Sequence, residues 1–448
     1  MTRAPSGFPV SEPHDEKAGR IRTIEDIRRY LTEELPSSGA AVLTGGLGRR
    51  RVRELLGRLG DPQDAVRSVH VAGTAGKGSV CAFVTAVLRE HGFHVGTSLS
   101  PHVYSLLERF QLDGGPAPVR DVAAALEEVR DRETSLSGGP WGAVSMFEAA
   151  TAAAFLLFRD HEVDYAVLET GLGGLHDATN TITRPDKLAV LTAIGLDHTA
   201  LLGRTSPEIA RQKAGILPEG GVAVALRGSA EVDQVFAAEA ALRGCRLDQV
   251  DPARIALPDA VRPGLPGRHQ RVNAALAVHA VRCLAERDGW RLDPERIAEG
   301  VRRVRLPGRF ERRRWRGHPV VLDGAHNPMK LASLVDAVRD EWPGRAPVWV
   351  LTVKPDKDLD TALEVVSPAA AAVIATEFST SGRGRPGGVP ASAEEVATAA
   401  RRAGARAVAE PNLSDALDSA VELSDPDLPV IVSGSFHVVA DAVDLGVS

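Results

Sequence analysis

The chain has 448 residues, which at roughly 150 per domain allows two or three domains and excludes a single small module. Hydrophobic residues make up 44% and charged residues 25%, ordinary values for a chain with a large core, so whole-chain disorder, collagen and coiled coil are excluded. With 59 acidic against 53 basic residues the net charge is −6, no footprint for nucleic acid or an anionic membrane, and neither is expected as a partner.

Cys81, Cys245 and Cys283 are too scattered for a disulfide framework and include no C-x-x-C pair, which fits a reducing compartment. No apolar run reaches the roughly 18 residues a transmembrane helix needs, and the N-terminus lacks the apolar segment of a signal peptide. A cytoplasmic enzyme is expected, with residues 1–22 disordered. Lysine is scarce, 7 of the 53 basic residues against 46 arginines, so each lysine raises the question of why arginine would not serve.

From Ile24 the pattern is helical. A Gly-rich loop, LTGGLG, precedes the amphipathic helix RRRVRELLGRLG, which Gly60 closes. VHVA (69–72) reads as a buried strand, and Ser79 to Glu90 carries apolar residues at helical spacing. Further strands are predicted at 163–169, 188–195 and 221–226 with helices between them, the pattern of a mostly parallel sheet covered on both faces. A second series begins at PVVLD (319–323) and continues through PVWVLTV, AAVIATE and LPVIVSG, with helices starting near Pro328, Leu359, Ser392 and Leu413. The Pro- and Arg-rich stretch 301–317 reads as the seam between two domains, and 379–392 as a mobile loop.

The strongest local signal is VHVAGTAGKGSV, where a strand runs through Gly73, Thr74, Gly76, Lys77, Gly78 and Ser79 into a helix. Amide groups at a helix N-terminus cradle phosphate oxygens, a lysine supplies a point charge, and a hydroxyl reaches Mg2+. Glu169 falls at the carboxyl end of a strand, where a carboxylate either holds a metal beside the phosphates or lies on a solvated rim. After the strand LAVLTAIG come Asp197 and His198. Magnesium prefers oxygen, so chemistry alone favours Asp197 as a ligand and makes His198 a hydrogen-bonding residue. Lys213, on a predicted helix, reads by itself as a solvated surface lysine. Asp323 and His326 follow a strand of the second series and either grip a nucleotide or reacting group across a cleft, or form an Asp-Gly turn beside a helix capped by Asn327.

Taken in order, GGLGRRRVRELLGRLGDP, HVAGTAGKGS, SLSPHVYSLLERF, MFEAATAAAF, LETGLGGLHDATN, IGLDHTALLG, QKAGI, GRHQRVNAA, LPGRFE, LDGAHNP, PDKD and VSGSFHVV resemble the folylpolyglutamate synthase and dihydrofolate synthase family of ATP-dependent Mur-type amide ligases. The resemblance runs from about Ile24 to Val439. It implies a two-domain Mur-ligase-like α/β architecture: an N-terminal phosphate-loop ATPase domain with a parallel sheet at 23–304, and a smaller doubly wound C-terminal domain at 305–448. It also implies that the loop around Lys77 binds ATP, that Ser79 and Glu169 hold one Mg2+ and His198 helps hold a second, and that Lys213 is carbamylated into a further metal ligand. Asn273 would meet the adenine, Arg309 the phosphates, and Asp323 with His326 the nucleotide and transferred phosphate. Ser100, Ser145, Phe147 and Asp177 would line the site of a pteroate- or folate-type acid, and Ser435 that of L-glutamate. The implied reaction joins the two through an acyl phosphate, in a chain that works as a monomer. Alternatives within the same scaffold are a ligase for a non-folate acid and a catalytically impaired nucleotide-binding subunit.

Overall fold

The computed structural model describes residues 19–36, 46–136, 139–140, 142–255, 257–258, 261–355, 357–379 and 388–448. The disorder expected for 1–22 therefore falls, up to residue 18, outside the described residues, as does the 380–387 part of the loop expected at 379–392.

An eight-stranded sheet takes the order β4-β3-β2-β5-β1-β6-β7-β8. Its strands are β1 (Arg67–Ala72), β2 (Val95–Ser98), β3 (Gln111–Leu112), β4 (Gly115–Pro116), β5 (Tyr165–Glu169), β6 (Leu188–Leu191), β7 (Val222–Leu226) and β8 (Arg246–Val250). Strands β2, β5, β1, β6, β7 and β8 pair in parallel, and β3 and β4 form an antiparallel edge. Helices cover both faces, which is why VHVA, YAVLE and LAVL are apolar without alternation.

Helices α1 (Ile24–Arg29), α2 (Leu47–Arg58), α4 (Val119–Thr134) and α5 (Met146–Asp160) pack on Ala166 and Leu168 of β5. On the opposite face α3 (Lys77–Glu90), α9 (Arg268–Asp288) and α10 (Pro294–Arg303) pack on Val69, Val71, Tyr165 and Val167. Helices α7 (Ser206–Ala214) and α8 (Ala230–Leu242), which follow the single turn α6 (Thr199–Leu202), share a core with β6 and β7. By the strand period of two, Glu169 continues the set facing α3. Strand β1 lies between β5 and β6, so the crevice beyond its carboxyl end is the switch point where an open α/β sheet binds ligands.

The second sheet runs β13-β12-β11-β14-β10-β9, with β9 (Glu311–Trp315) antiparallel to β10 (His318–Leu322) and the others, β11 (Val348–Leu351), β12 (Ala372–Ala375), β13 (Ala407–Ala409) and β14 (Val430–Ser433), parallel. Helices α11 (Pro328–Glu341), α12 (Leu359–Val366) and α13 (Ala393–Arg402) cover one face. Helices α14 (Leu413–Leu423) and α15 (Phe436–Asp444) cover the other. Val103, from the loop after β2, is buried in this second core, so a loop of the first domain is packed into the second.

Two boundaries differ from the sequence reading. Residues 301–317 are not only a seam: β9 lies within them, and its arginines concealed it because an edge strand with a solvated face needs no apolar run. The strand predicted at 188–195 stops at Leu191, because the next residues fasten the phosphate loop: Thr192 N–H donates to the Ala72 carbonyl (2.8 Å) and Thr74 N–H to that of Ala193 (2.9 Å).

Candidate active site

Between β1 and α3 the chain turns at Gly76, whose φ of 86° favours glycine and where a Cβ would lie 2.5 Å from Asn273 Oδ1. The loop is braced from β6, with Thr192 Oγ1 donating to the Ala75 carbonyl at 2.7 Å and Thr74 Oγ1 to that of Gly195 at 3.0 Å. Helix α3 then starts at Lys77, aiming its first amides into a cavity lined by Gly73, Thr74, Gly76, Lys77, Gly78 and Ser79. The same cavity is lined by Glu169, His198, Lys213, Asn273, Arg309, Asp323 and His326, so the residues proposed for nucleotide and metal from two separate series of strands meet in one place.

Glu169 is not on a solvated rim. Its carboxylate is buried, with Lys77 Nζ 3.9 Å from Oε1 and Ser100 N–H donating to Oε2 at 3.0 Å. Burial raises its pKa, against the pull of Lys77, so this carboxylate is short of positive charge. With the Ser79 hydroxyl it offers oxygen donors of the kind Mg2+ takes. Lys213 is not a surface lysine either. It is 4% exposed, its Nζ donates to the Gly73 carbonyl at 2.9 Å, and burial, reinforced by Lys77, pushes its pKa down to about 7. The neutral amine is the form that reacts with carbon dioxide, and a lowered pKa makes it accessible near neutral pH as a guanidinium's cannot be.

Asp197 overturns the preference chemistry alone expressed for it as a magnesium ligand. One carboxylate oxygen accepts from Lys357 Nζ at 2.9 Å and the other from Asn327 Nδ2 at 2.9 Å, with Lys330 Nζ at 3.4 Å. Burial alone would raise its pKa, but these cations, Lys330 foremost, hold it far below the usual carboxylate range. All three partners belong to the second domain. His198 beside it lines the cavity in a left-handed backbone conformation (φ 51°) with its side chain 43% exposed, and partial desolvation in the cleft, with Lys357, Lys330 and Lys77 nearby, lowers its pKa.

From the second domain, Asp323 at the end of β10 accepts from the backbone N–H groups of Phe310 and Ala325, each at 2.8 Å. Arg309 lies half-buried with its guanidinium 4.2 Å from the centre of the Phe436 ring. His326 Nδ1–H donates to the Gly324 carbonyl at 2.8 Å, so Nε2 accepts from Lys330 Nζ at 3.0 Å. Burial lowers both, Lys330 to about 8 and His326 well below its ordinary value.

An adjoining cavity is lined by Ser100, Ser145, Phe147, Asp177 and Ser435, together with Arg109, Lys354 and Lys357. Ser145 caps α5, and its own N–H donates to Glu148, which is held by Arg51 in a buried pair at 2.8 Å. The Phe147 ring fills the space a side chain at Gly171 would need. Asp177, whose pKa burial raises, accepts from Leu172 N–H (2.8 Å), Thr179 N–H (3.0 Å) and the Thr179 hydroxyl (2.5 Å), so it ties the loop after β5 as well as lining the cavity. Ser435 caps α15 by accepting from His437 N–H at 3.1 Å.

Residues 308–436 match the family described as Mur ligase, glutamate ligase domain. Over 416 residues, 84% of each chain, the sequence is 34% identical to the dihydrofolate synthase/folylpolyglutamate synthase of Mycobacterium tuberculosis. Its counterpart from Bacillus subtilis is 33% identical over 353 residues, 74% of this chain and 81% of the relative. The chain belongs to the folylpolyglutamate synthase and dihydrofolate synthase family. The family's members are ATP-dependent ligases. Among solved structures, Mycobacterium tuberculosis folylpolyglutamate synthase complexed with ADP aligns with a TM-score of 0.80 at 31% identity, covering 94% of this chain and 98% of that one.

Within this synthase-family chain, sequence reasoning did not single out Lys330, Lys357, Arg109 or His269. Lysine scarcity was the usable signal: of seven lysines, Lys77, Lys213 and Lys330 line the nucleotide cavity and Lys354 and Lys357 the adjoining one. Arg109 carried none, since only the fold buries it, with Nε donating to His102 Nδ1 at 3.0 Å. His269 lies beside Gln270 and Asn273 on α9, and burial pushes its pKa down to about 4. No helix among the described residues is long and apolar enough to cross a membrane.

Proposed function

We propose that this chain joins L-glutamate to the carboxylate of a pteroate- or folate-type acid, with ATP cleaved to ADP and phosphate. The observation that carries this reading is the meeting, in one cleft between two domains, of a phosphate loop, a buried carboxylate and a depressed lysine with Arg309, Asp323, His326 and Lys330. These are the positioning and charge-neutralising groups that phosphoryl transfer requires.

A substrate carboxylate oxygen attacks the γ-phosphorus of ATP, the bond to ADP breaks, and an acyl phosphate forms. The glutamate amine then attacks the acyl carbon, phosphate leaves, and the amine's proton passes to solvent. The α3 amides and Lys77 offset charge on the β- and γ-phosphates. Asn273 meets the adenine, Asp323 the nucleotide, and Arg309 with His326 the transferred phosphoryl group. Ser79, Glu169, His198 and carbamylated Lys213 would hold Mg2+, which when bound supplies further charge neutralisation. Ser100, Ser145, Phe147 and Asp177 hold the acid, and Ser435 lies where the amino acid enters. Water excluded from the cleft around the bound reactants cannot hydrolyse the acyl phosphate. The same reading divides the chain into an ATP-binding domain at 23–304 and a C-terminal domain at 305–448, and makes it a cytoplasmic monomer.

The deciding experiment measures ADP release from MgATP and L-glutamate with dihydropteroate and tetrahydrofolate as separate acceptors, and weighs the products. A glutamylated product from either acceptor is expected. If neither acceptor stimulates ADP release while ATP binds, the reading moves to another carboxylic acid.

A further inference from the structure

Strand β8 closes one edge of the first sheet, far along α9 from the cleft. Leu247 packs toward α8 whereas Val250 packs toward α9, so Asp248, two residues before Val250, faces α9. There it meets His279 and Cys283, which at a spacing of four stand one above the other on a single helix face. His279 Nε2 and Asp248 Oδ2 are 2.6 Å apart, and one carboxylate oxygen, one imidazole nitrogen and one sulfur all lie within 4.8 Å of each other. The three sit six to ten residues beyond Asn273 on α9 or on its neighbouring strand, so about 9–15 Å along the helix separates the two α9 donors from the nucleotide cavity.

We propose that Asp248, His279 and Cys283 form a binding site for a zinc-class divalent cation, separate from the ligase cleft. A donor set of oxygen, nitrogen and sulfur suits borderline-soft ions, whereas magnesium and calcium take oxygen. Bonds of about 2.0–2.3 Å in a tetrahedral arrangement place ligand atoms roughly 3.3–3.5 Å apart, so His279 and Asp248 need only part slightly, and three protein ligands leave a fourth position for water. Asp248 is half exposed and His279 a quarter exposed, which gives an ion access from solvent. Nearby charge is balanced, with Asp248 and Glu286 against Arg246 and Arg282 around the thiol. Binding breaks the Cys283 S–H bond, the sulfur ligates as thiolate, and the proton leaves to solvent. The bound ion would pin the edge strand to α9.

The test is titration of the full-length, chelator-stripped protein with Co2+ at pH 8, followed by absorption spectroscopy. We expect one equivalent of cobalt to give a thiolate-to-metal charge-transfer band and strong tetrahedral d–d bands, displaced by Zn2+ and not by a large excess of Mg2+. Cys283→Ser should abolish the charge-transfer band, and His279→Ala and Asp248→Asn should each weaken binding at least tenfold, while Cys245→Ser leaves it unchanged. Absence of a thiolate band at saturating cobalt, or its persistence in Cys283→Ser, overturns the site. If Cys283→Ser does not fold, unchanged affinity in both His279→Ala and Asp248→Asn overturns it equally.

Discussion

At the carboxyl end of the eight-stranded sheet the chain presents backbone amides, Glu169 and Asp197; at the carboxyl end of the six-stranded sheet it presents His326, Lys330 and Lys357, with Arg309 beside them. The Arg51–Glu148 pair shows what a buried charge pair looks like when both partners belong to one domain. Asp197 differs, because the side chains that hydrogen-bond to it, Asn327, Lys330 and Lys357, come from the other domain. A buried carboxylate without its partners carries a large desolvation cost, so the arrangement in which Asp197 meets Lys330 and Lys357 is the one in which the charges of both halves are matched. On the proposed reading the first half supplies the groups that would grip phosphate and metal, and the second supplies the lysines that pair with Asp197 across the cleft.

The sharpest way to break this division is at the phosphate loop. Lys77→Ala should lower ADP release in the complete reaction by at least about 100-fold, the scale of losing a charge-stabilising group. Wild-type turnover would remove Lys77 from the reaction.

Lys213 separates a metal-ligating role from a cationic one. Lys213→Glu should retain at least about tenfold more activity than Lys213→Ala, because a carboxylate replaces the carbamate. Its pKa near 7 sets the sign of the pH effect: raising pH through 7 increases the neutral amine, so added bicarbonate should stimulate the wild type more at pH 8 than at pH 6. Equal activity in the two variants would leave Lys213 as a prop for Gly73.

Asp197→Asn tests the coupling between the halves. Both lysines keep their charge and lose their counter-ion, so kcat/KM should fall about tenfold, with nucleotide affinity nearly unchanged and a lowered melting temperature. An equal loss in ATP affinity, measured by calorimetry, would make Asp197 part of nucleotide binding instead.

The smallest effect is expected at Asn327, which caps α11 through Oδ1 and reaches Asp197 through Nδ2. Asn327→Ala should cost about 1 kcal/mol in urea unfolding, the size of a lost cap.

Much of the phosphate loop was legible because its requirement is local: a strand, glycines that free the backbone, a lysine and a helix start are contiguous, and each acts through the main chain beside it. The βα alternation and the apolar strands were legible for the same reason, since burial on both faces writes itself into consecutive residues. Strand β9 was not, because Arg312 and Arg314 face solvent at a sheet edge, Arg313 stands between them, and no apolar pattern results. Lys213 and Asp197 were misjudged when weighed alone. A helical lysine and a loop aspartate look alike on the surface and in the core, and only the distance to a partner far away in sequence distinguishes them. By itself the sequence determined the two series of strands, the phosphate loop and the family pattern, all carried by neighbouring residues. Tertiary structure alone decided that Lys213 is buried against Gly73 and that Asp197 is bound by Asn327, Lys330 and Lys357, because burial and charge pairing depend on groups far apart in sequence, within the first domain for Lys213 and across the two domains for Asp197.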